Sequence, residues 1–150
     1  MIREFLIGEH VVERSAAEIT LKLDLGFRLR FGVRLWVVGV CCPDVEAGSP
    51  ASRLLGVRAR SAAEMFLKGD PLPVLLSHGN VDDHGSVKGD IRTAGGLLSD
   101  FLVDSDFALR LQKKICGMAY GGSLFDALID KHDIAGEIDV LAPQFEHSPD

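Results

Sequence analysis

The chain has 150 residues, 47% hydrophobic and 25% charged, enough for one compact unit with a real core. Its formal charge of −6 argues against a sequence-blind grip on phosphate backbones, which takes several cations on one face. Residues 1–60 hold nine Lys and Arg against seven Asp and Glu, and residues 61–150 hold seven against fifteen, so any nucleic-acid surface belongs to the first part. No apolar run approaches the roughly 20 residues of a membrane span. The opening MIREFLIGEH carries Glu4 and Glu9 in place of a cleavable apolar region. A soluble, cytoplasmic protein without membrane contact is expected.

Val11 and Val12 open a short strand that breaks at Ser15, Ala16 and Ala17. EITLKLDLGF then alternates Ile19, Leu21, Leu23 and Leu25 with Glu18, Thr20, Lys22 and Asp24, the period of a half-buried strand, and Gly26 turns the chain. The next strand, RLRFGVRLWVVGV, puts Leu29, Phe31, Val33, Leu35 and Val37 on one face and Arg28, Arg30, Gly32, Arg34 and Trp36 on the other. After the loop PDVEAGSP a helical pattern runs from about Val57 to Lys68 and stops at Gly69. PLPVLLSH and SVKGDIR read as strands around a turn at Asn80–Gly85. LLSDFLVDSDFALRLQKKICG is mostly helical, with Ser99 as its start and a break at Asp104, Ser105 and Asp106. SLFDALIDKH is a further helix capped by Ser123, and GEIDVL a final short strand. The early strands follow one another without helical crossovers, so a small antiparallel barrel capped by helices fits better than a parallel sheet.

Cys41, Cys42 and Cys116 show neither CxxC nor zinc-type spacing. No disulfide framework and no structural zinc are expected, and the adjacent Cys41 and Cys42 read as buried small hydrophobes. His78, Asp82, Asp83 and His84 are metal-ligating types, but a polar turn containing Asn80 and Gly85 accounts for them. His10, near Glu9 and Glu13, reads as a surface strand edge. AGGLLSD and YGGSLFDAL lack the lysine and spacing of a P-loop, and no Gly-x-Ser-x-Gly nucleophile turn exists. Arg28, Arg30 and Arg34 with Trp36 form a candidate phosphate-tracking stripe with a stacking platform. The alternative is a solvated strand face balanced by Glu18, Lys22 and Asp24 across the hairpin. In the helix after Ser123, Leu124, Phe125 and Leu128 oppose Asp126 and Asp130, a stripe that packs on the barrel or engages a partner.

Four segments carry a resemblance: SAAEITLKLDLGF, VRLWVVGVCCPD, DDHGSVKGDI and LLSDFLVDSDFA, in that order. Together they resemble the staphylococcal nuclease-like family over roughly residues 8–110, leaving about 111–150 as a C-terminal helical extension of a single domain. The resemblance implies an α+β fold, a five-stranded OB-fold barrel of the staphylococcal nuclease-like type with packed helices. Family members use a calcium ion held by carboxylates, an acid that orients water, and two arginines that neutralise charge building on phosphorus. Where the family has its Asp-Gly-Asp turn, this chain has Ser15, Ala16 and Ala17. The segment corresponding to Gly-Ile-Asp-x-Pro-Glu is Gly39, Val40, Cys41, Cys42, Pro43 and Asp44, so Cys41 replaces a carboxylate and Asp44 a glutamate. Arg34 corresponds to the first arginine, with two extra residues before Gly39, and Ser86 replaces the second.

The resemblance therefore implies a retired active site. It leads to a non-catalytic interaction or structural protein of bacteriophage type, without cofactor, contacting a protein assembly, a protein partner or its own copies, and virion-associated in that setting. The alternative is a calcium-dependent phosphodiesterase that cuts single-stranded DNA or RNA, with Arg34, Asp44 and Asp83 as working residues and Asp82 as a further carboxylate. A third reading is a non-cleaving nucleic-acid binder that uses Arg28, Arg30, Arg34 and Trp36.

Overall fold

The computed structural model describes residues 2–110, 123–132 and 134. Five strands close on themselves: β1 (Arg3–Val12), β2 (Glu18–Asp24), β3 (Arg30–Val37), β4 (Val74–Ser77) and β5 (Ser86–Thr93). Around the barrel β1 pairs with β2, β2 with β3, β3 with β5, β5 with β4, and β4 with β1. All these pairs are antiparallel except β3 with β5, which run parallel. The barrel is thus mixed, where the sequence suggested a wholly antiparallel one. Closure leaves no free edge among the five strands, and a two-residue β6 (Gly96–Leu97) adds to β5 outside the ring. This is an OB-like α+β architecture.

Strand direction defines two ends. β1, β3 and β5 all start at the end that carries the β2–β3 hairpin and the β4–β5 loop. They finish at the other, where α1 (Pro50–Lys68) follows β3. The helix starts because Ser49 Oγ accepts from the Ser52 N–H at 3.1 Å and Pro50 occupies the first turn. It begins seven residues earlier than the apolar pattern alone suggests, since the Ser-Pro pair reads equally well as loop. Ala59, Ala63 and Leu67 from α1 join Ile19, Leu21, Val33, Leu35, Leu75, Val87 and Ile91 from the strands in one buried cluster. The helix therefore covers the second end, here termed the α1 end.

β1 spans ten residues, not just Val11 and Val12, because a bulge between Ile7 and Glu9 shifts the pairing with β2. Phe5 and Ile7 face the core before it and Val12 after it, so the apolar period changes phase and the alternation is lost to view. At the bulge a Cβ on Gly8 would lie 3.3 Å from the Lys22 carbonyl oxygen and would displace the tip of the Arg30 side chain. β3 begins at Arg30, and Leu29 and Phe31, expected inside, are exposed. Between β2 and β3 the Leu29 N–H donates to the Gly26 carbonyl at 2.8 Å. Phe27 (φ 52) and Arg28 (φ 62) occupy its two central positions, a left-handed pair normally filled by Asn-Gly.

α2 (Leu98–Asp104) ends at the expected break, Asp106 having φ 61. Ser99 is not its cap. The Ser99 N–H and hydroxyl both donate to the buried Asp90 carboxylate on β5, tying α2 to the barrel wall. Phe66 of α1 stacks on Phe101 of α2 with centroids 4.4 Å apart. The stretch from Phe107 to Leu109, expected to be helical, lies outside any helix, and Leu109 bridges Cys41.

α3 (Asp126–Lys131) follows a 3-10 turn at Ser123–Phe125, so Phe125 and not Ser123 is its N-cap. Phe125, Leu128, Ile129 and Ile134 pack with Leu55 and Cys41 in a second cluster beside α1, while Asp126 and Asp130 face solvent, as the apolar stripe requires. His132 stacks on Phe107 and its carbonyl accepts from Arg58 at 3.2 Å. GEIDVL, Cys116 and the remainder of the expected helix before Ser123 lie outside the described residues.

Candidate functional site

The positions singled out by sequence are distributed along one outer strip of the barrel and over its two ends. Arg34 of β3 faces Ser86 of β5 across the parallel pair, and Trp36 faces Lys88. The neighbouring β2–β3 register sets Glu18 opposite Trp36 and Thr20 opposite Arg34. Arg34 Nε lies 3.8 Å from a Glu18 carboxylate oxygen, and Arg30 lies 3.8 Å from Glu9, which also pairs with Lys22 at 3.5 Å. Arg34 is thus matched by an acid from the adjacent β2, and Arg30 by one from β1, two strands away. Arg28, expected on this face, sits instead in the hairpin turn beyond the strand. Trp36 is half-buried.

Toward the α1 end, the position that the resemblance gives to a metal carboxylate is closed with apolar atoms. Ala16 is fully buried and Ala17 nearly so, and both belong to the barrel core. Cys41 and Cys42 point into different clusters, Cys42 into the barrel core and Cys41 into the second one. Cys41 is disulfide-bonded, which corrects the expectation of no disulfide. The sequence treats the pair as equivalent, whereas strand geometry sends neighbours to opposite sides. Cys42 is a free thiol whose burial pushes its pKa up to about 12, so it offers no thiolate to a metal or an electrophile.

Asp44 is spent on structure. Its Oδ1 accepts from the backbone N–H groups of Glu46 at 2.6 Å and Ala47 at 3.2 Å, and its Oδ2 pairs with Arg14 at 3.3 Å. Arg14 also holds Glu46 at 3.3 Å. Sequence reasoning passed over Arg14, although a cation in the turn before β2 was its available signal. α1 packs so tightly here that a Cβ on Gly56 would lie 2.7 Å from the Asp44 carbonyl oxygen.

Asp82 and Asp83 stand at the other end, in the β4–β5 loop. Asp82 Oδ1 accepts from the N–H groups of His84 at 2.8 Å and Ser86 at 2.9 Å, shaping the turn. Asp83 and His84 are exposed. Arg34 and Ser86 are therefore brought together, while Asp44 and Asp83 belong to opposite ends of the barrel. Among the described residues no group of three His, Cys, Asp or Glu side chains is placed to hold a metal ion. Buried alanines and a disulfide sulfur do not fit calcium, which takes six to eight hard oxygens.

His10, half-buried on β1, faces the end of α1. Burial and the Lys68 charge lower its pKa against a smaller opposing effect of Glu64. Among the described residues no helix is long and apolar enough to cross a membrane. No protein-family model matches the chain, and no curated protein sequence does.

Proposed function

We propose that this chain is a non-catalytic interaction module, a staphylococcal nuclease-like OB barrel whose phosphodiesterase site has been closed. The observation that carries the reading is the filling of the α1 end. Ala16 and Ala17 are buried in the core and Cys41 is bonded, and Asp44 is consumed by its own loop and by Arg14.

Phosphoryl transfer needs preorganised positive charge around the transferring group. Loss of a single such donor costs about 10²–10³ in rate, and here Ser86 stands beside Arg34 where a second guanidinium would be required. The helix between β3 and β4 and the parallel β3–β5 closure support the nuclease-like type. The disulfide at Cys41 fits oxidising surroundings such as a virion or cell surface. Acids matching Arg30 and Arg34 disfavour a nucleic-acid binder, because each phosphate contact would first have to displace a neighbouring carboxylate.

The test is cleavage of single-stranded DNA and RNA by purified protein with calcium and with chelator. No calcium-dependent product is expected. Calcium-dependent cutting that disappears in Arg34→Ala would overturn the reading.

A further inference from the structure

Among the described residues, no element lies over the hairpin end of the barrel. A cavity of about 330 Å³ enters it between Phe5, Leu23, Phe31, Val33, Leu75 and Val87, with Arg3, Asn80 and Val81 also in its lining. Beside its mouth stands the β2–β3 turn, whose Phe27 is 97% exposed. Leu25 and Phe31, which flank that turn, are each 46% exposed. Phe27 and Arg28 both hold φ > 0, a conformation rare for bulky residues that fixes the ring at the tip of the turn.

We propose that this end is a homodimer interface in which Phe27 of each copy enters the cavity of the other. Three observations support a second copy as the occupant. A phenyl ring is accommodated by a cavity of about 150 Å³, so 330 Å³ receives the ring together with a flanking leucine. Plug and socket share one end of one barrel, so a two-fold axis satisfies both at once and the assembly closes at two chains. The charges also complement one another. Asp24 ends β2 and Arg28 sits in the turn, Arg3 lines the cavity and Asp83 follows its lining residue Val81 in the β4–β5 loop, and among the described residues none of the four makes an ion pair within its own chain. Arg28 then meets Asp83 of the partner copy, and Asp24 meets Arg3.

This inference deepens the reading of the chain as an interaction module by naming its partner, and it does not depend on whether the chain cuts nucleic acid. Sedimentation of the full chain from micromolar to millimolar concentration is expected to show a reversible monomer–dimer equilibrium. Phe27→Asn removes the ring while suiting the left-handed backbone, and is expected to weaken the dimer by roughly thirtyfold, the effect of a hot-spot residue. Arg28→Asp and Asp83→Arg are each expected to weaken it, and the double variant to regain most of the loss. Three results overturn the proposal: a chain that stays monomeric at millimolar concentration, a dimer indifferent to Phe27→Asn, or charge reversals with no mutual rescue. A monomer whose Leu75 and Val87 resonances shift saturably with toluene also overturns it, and would assign the cavity to small apolar ligands. None of these outcomes bears on the cleavage assay, so the two readings fail separately.

Discussion

The two ends of the barrel are made by the same strands and present opposite surfaces. At the α1 end Ala59, Ala63 and Leu67 lie across the opening, and even small residues such as Ala16 and Cys42 are shut in with them. At the hairpin end β2 and β3 run past the core, no described element crosses the opening, and Leu25, Leu29 and Phe31 stand in solvent. Closing a strand barrel therefore takes a separate element laid over it, and the end that no described element covers keeps its cavity. The end where the resemblance locates metal chemistry is the sealed one. The end with room for another molecule has apolar walls.

The largest expected effect comes from reopening the sealed end. Ala17→Asp places a carboxylate where the nuclease-like resemblance calls for one, but at a position only 9% exposed. An unpaired buried charge costs about 3–5 kcal/mol, and the urea midpoint is expected to fall accordingly without gain of calcium affinity. Close packing gives the next effect. A Cβ on Gly89 would lie 2.1 Å from the Leu76 carbonyl oxygen, and one on Gly56 2.7 Å from that of Asp44. Gly89→Ala and Gly56→Ala are each expected to lose about 1–3 kcal/mol in the same measurement, with Gly89→Ala the more damaging.

The hairpin end should respond in the other direction. Replacing Phe27 and Arg28 by Asn and Gly relieves two left-handed residues, each strained by roughly 1–2 kcal/mol. The double variant is expected to be the more stable by about 1–2 kcal/mol as a monomer while its dimer is lost. Stability and association then move oppositely, as befits a turn shaped for contact and not for folding.

Two smaller effects sharpen the picture of the sealed end. His10 has its pKa lowered from 6.5 in the folded chain by burial, then by Lys68. Below about pH 6.5 the unfolded chain takes up a proton that the folded chain resists, so folding stability falls as the solution is acidified through that point. His10→Gln should flatten that part of the pH–stability curve measured by urea unfolding. Cys42, with its pKa pushed up to about 12, should resist maleimide in native protein and react once urea opens the core.

Much of the barrel is legible in the sequence because its alternation is local. Ile19, Leu21 and Leu23 declare β2, and Val33, Leu35 and Val37 declare the inner face of β3. What escaped was written in exceptions to the period. The Gly8 bulge hides most of β1, and Ser49-Pro50 hides the first turns of α1. Ser99 looked like a cap because its serine precedes an apolar run, yet its hydroxyl goes to Asp90 on another strand, a contact no local pattern contains. The candidate site divides in the same way. The departures from the resembled pattern at Ala16, Ala17, Cys41 and Ser86 can be read directly, whereas the separation of Asp44 from Asp83 by the length of the barrel, and the acids matching Arg30 and Arg34, depend on strand pairing. The cavity was invisible because a run of alternating apolar residues through Leu25, Phe27, Leu29 and Phe31 looks the same whether it lies inside a barrel or beyond its rim.

The most direct measurement is a calcium titration of the native full chain followed by backbone amide resonances at Ala16, Ala17, Asp44 and Ser86. The account predicts that these four stay still up to millimolar calcium. A saturable shift shared by Ala16, Asp44 and Ser86, and abolished by Asp44→Asn, would contradict it.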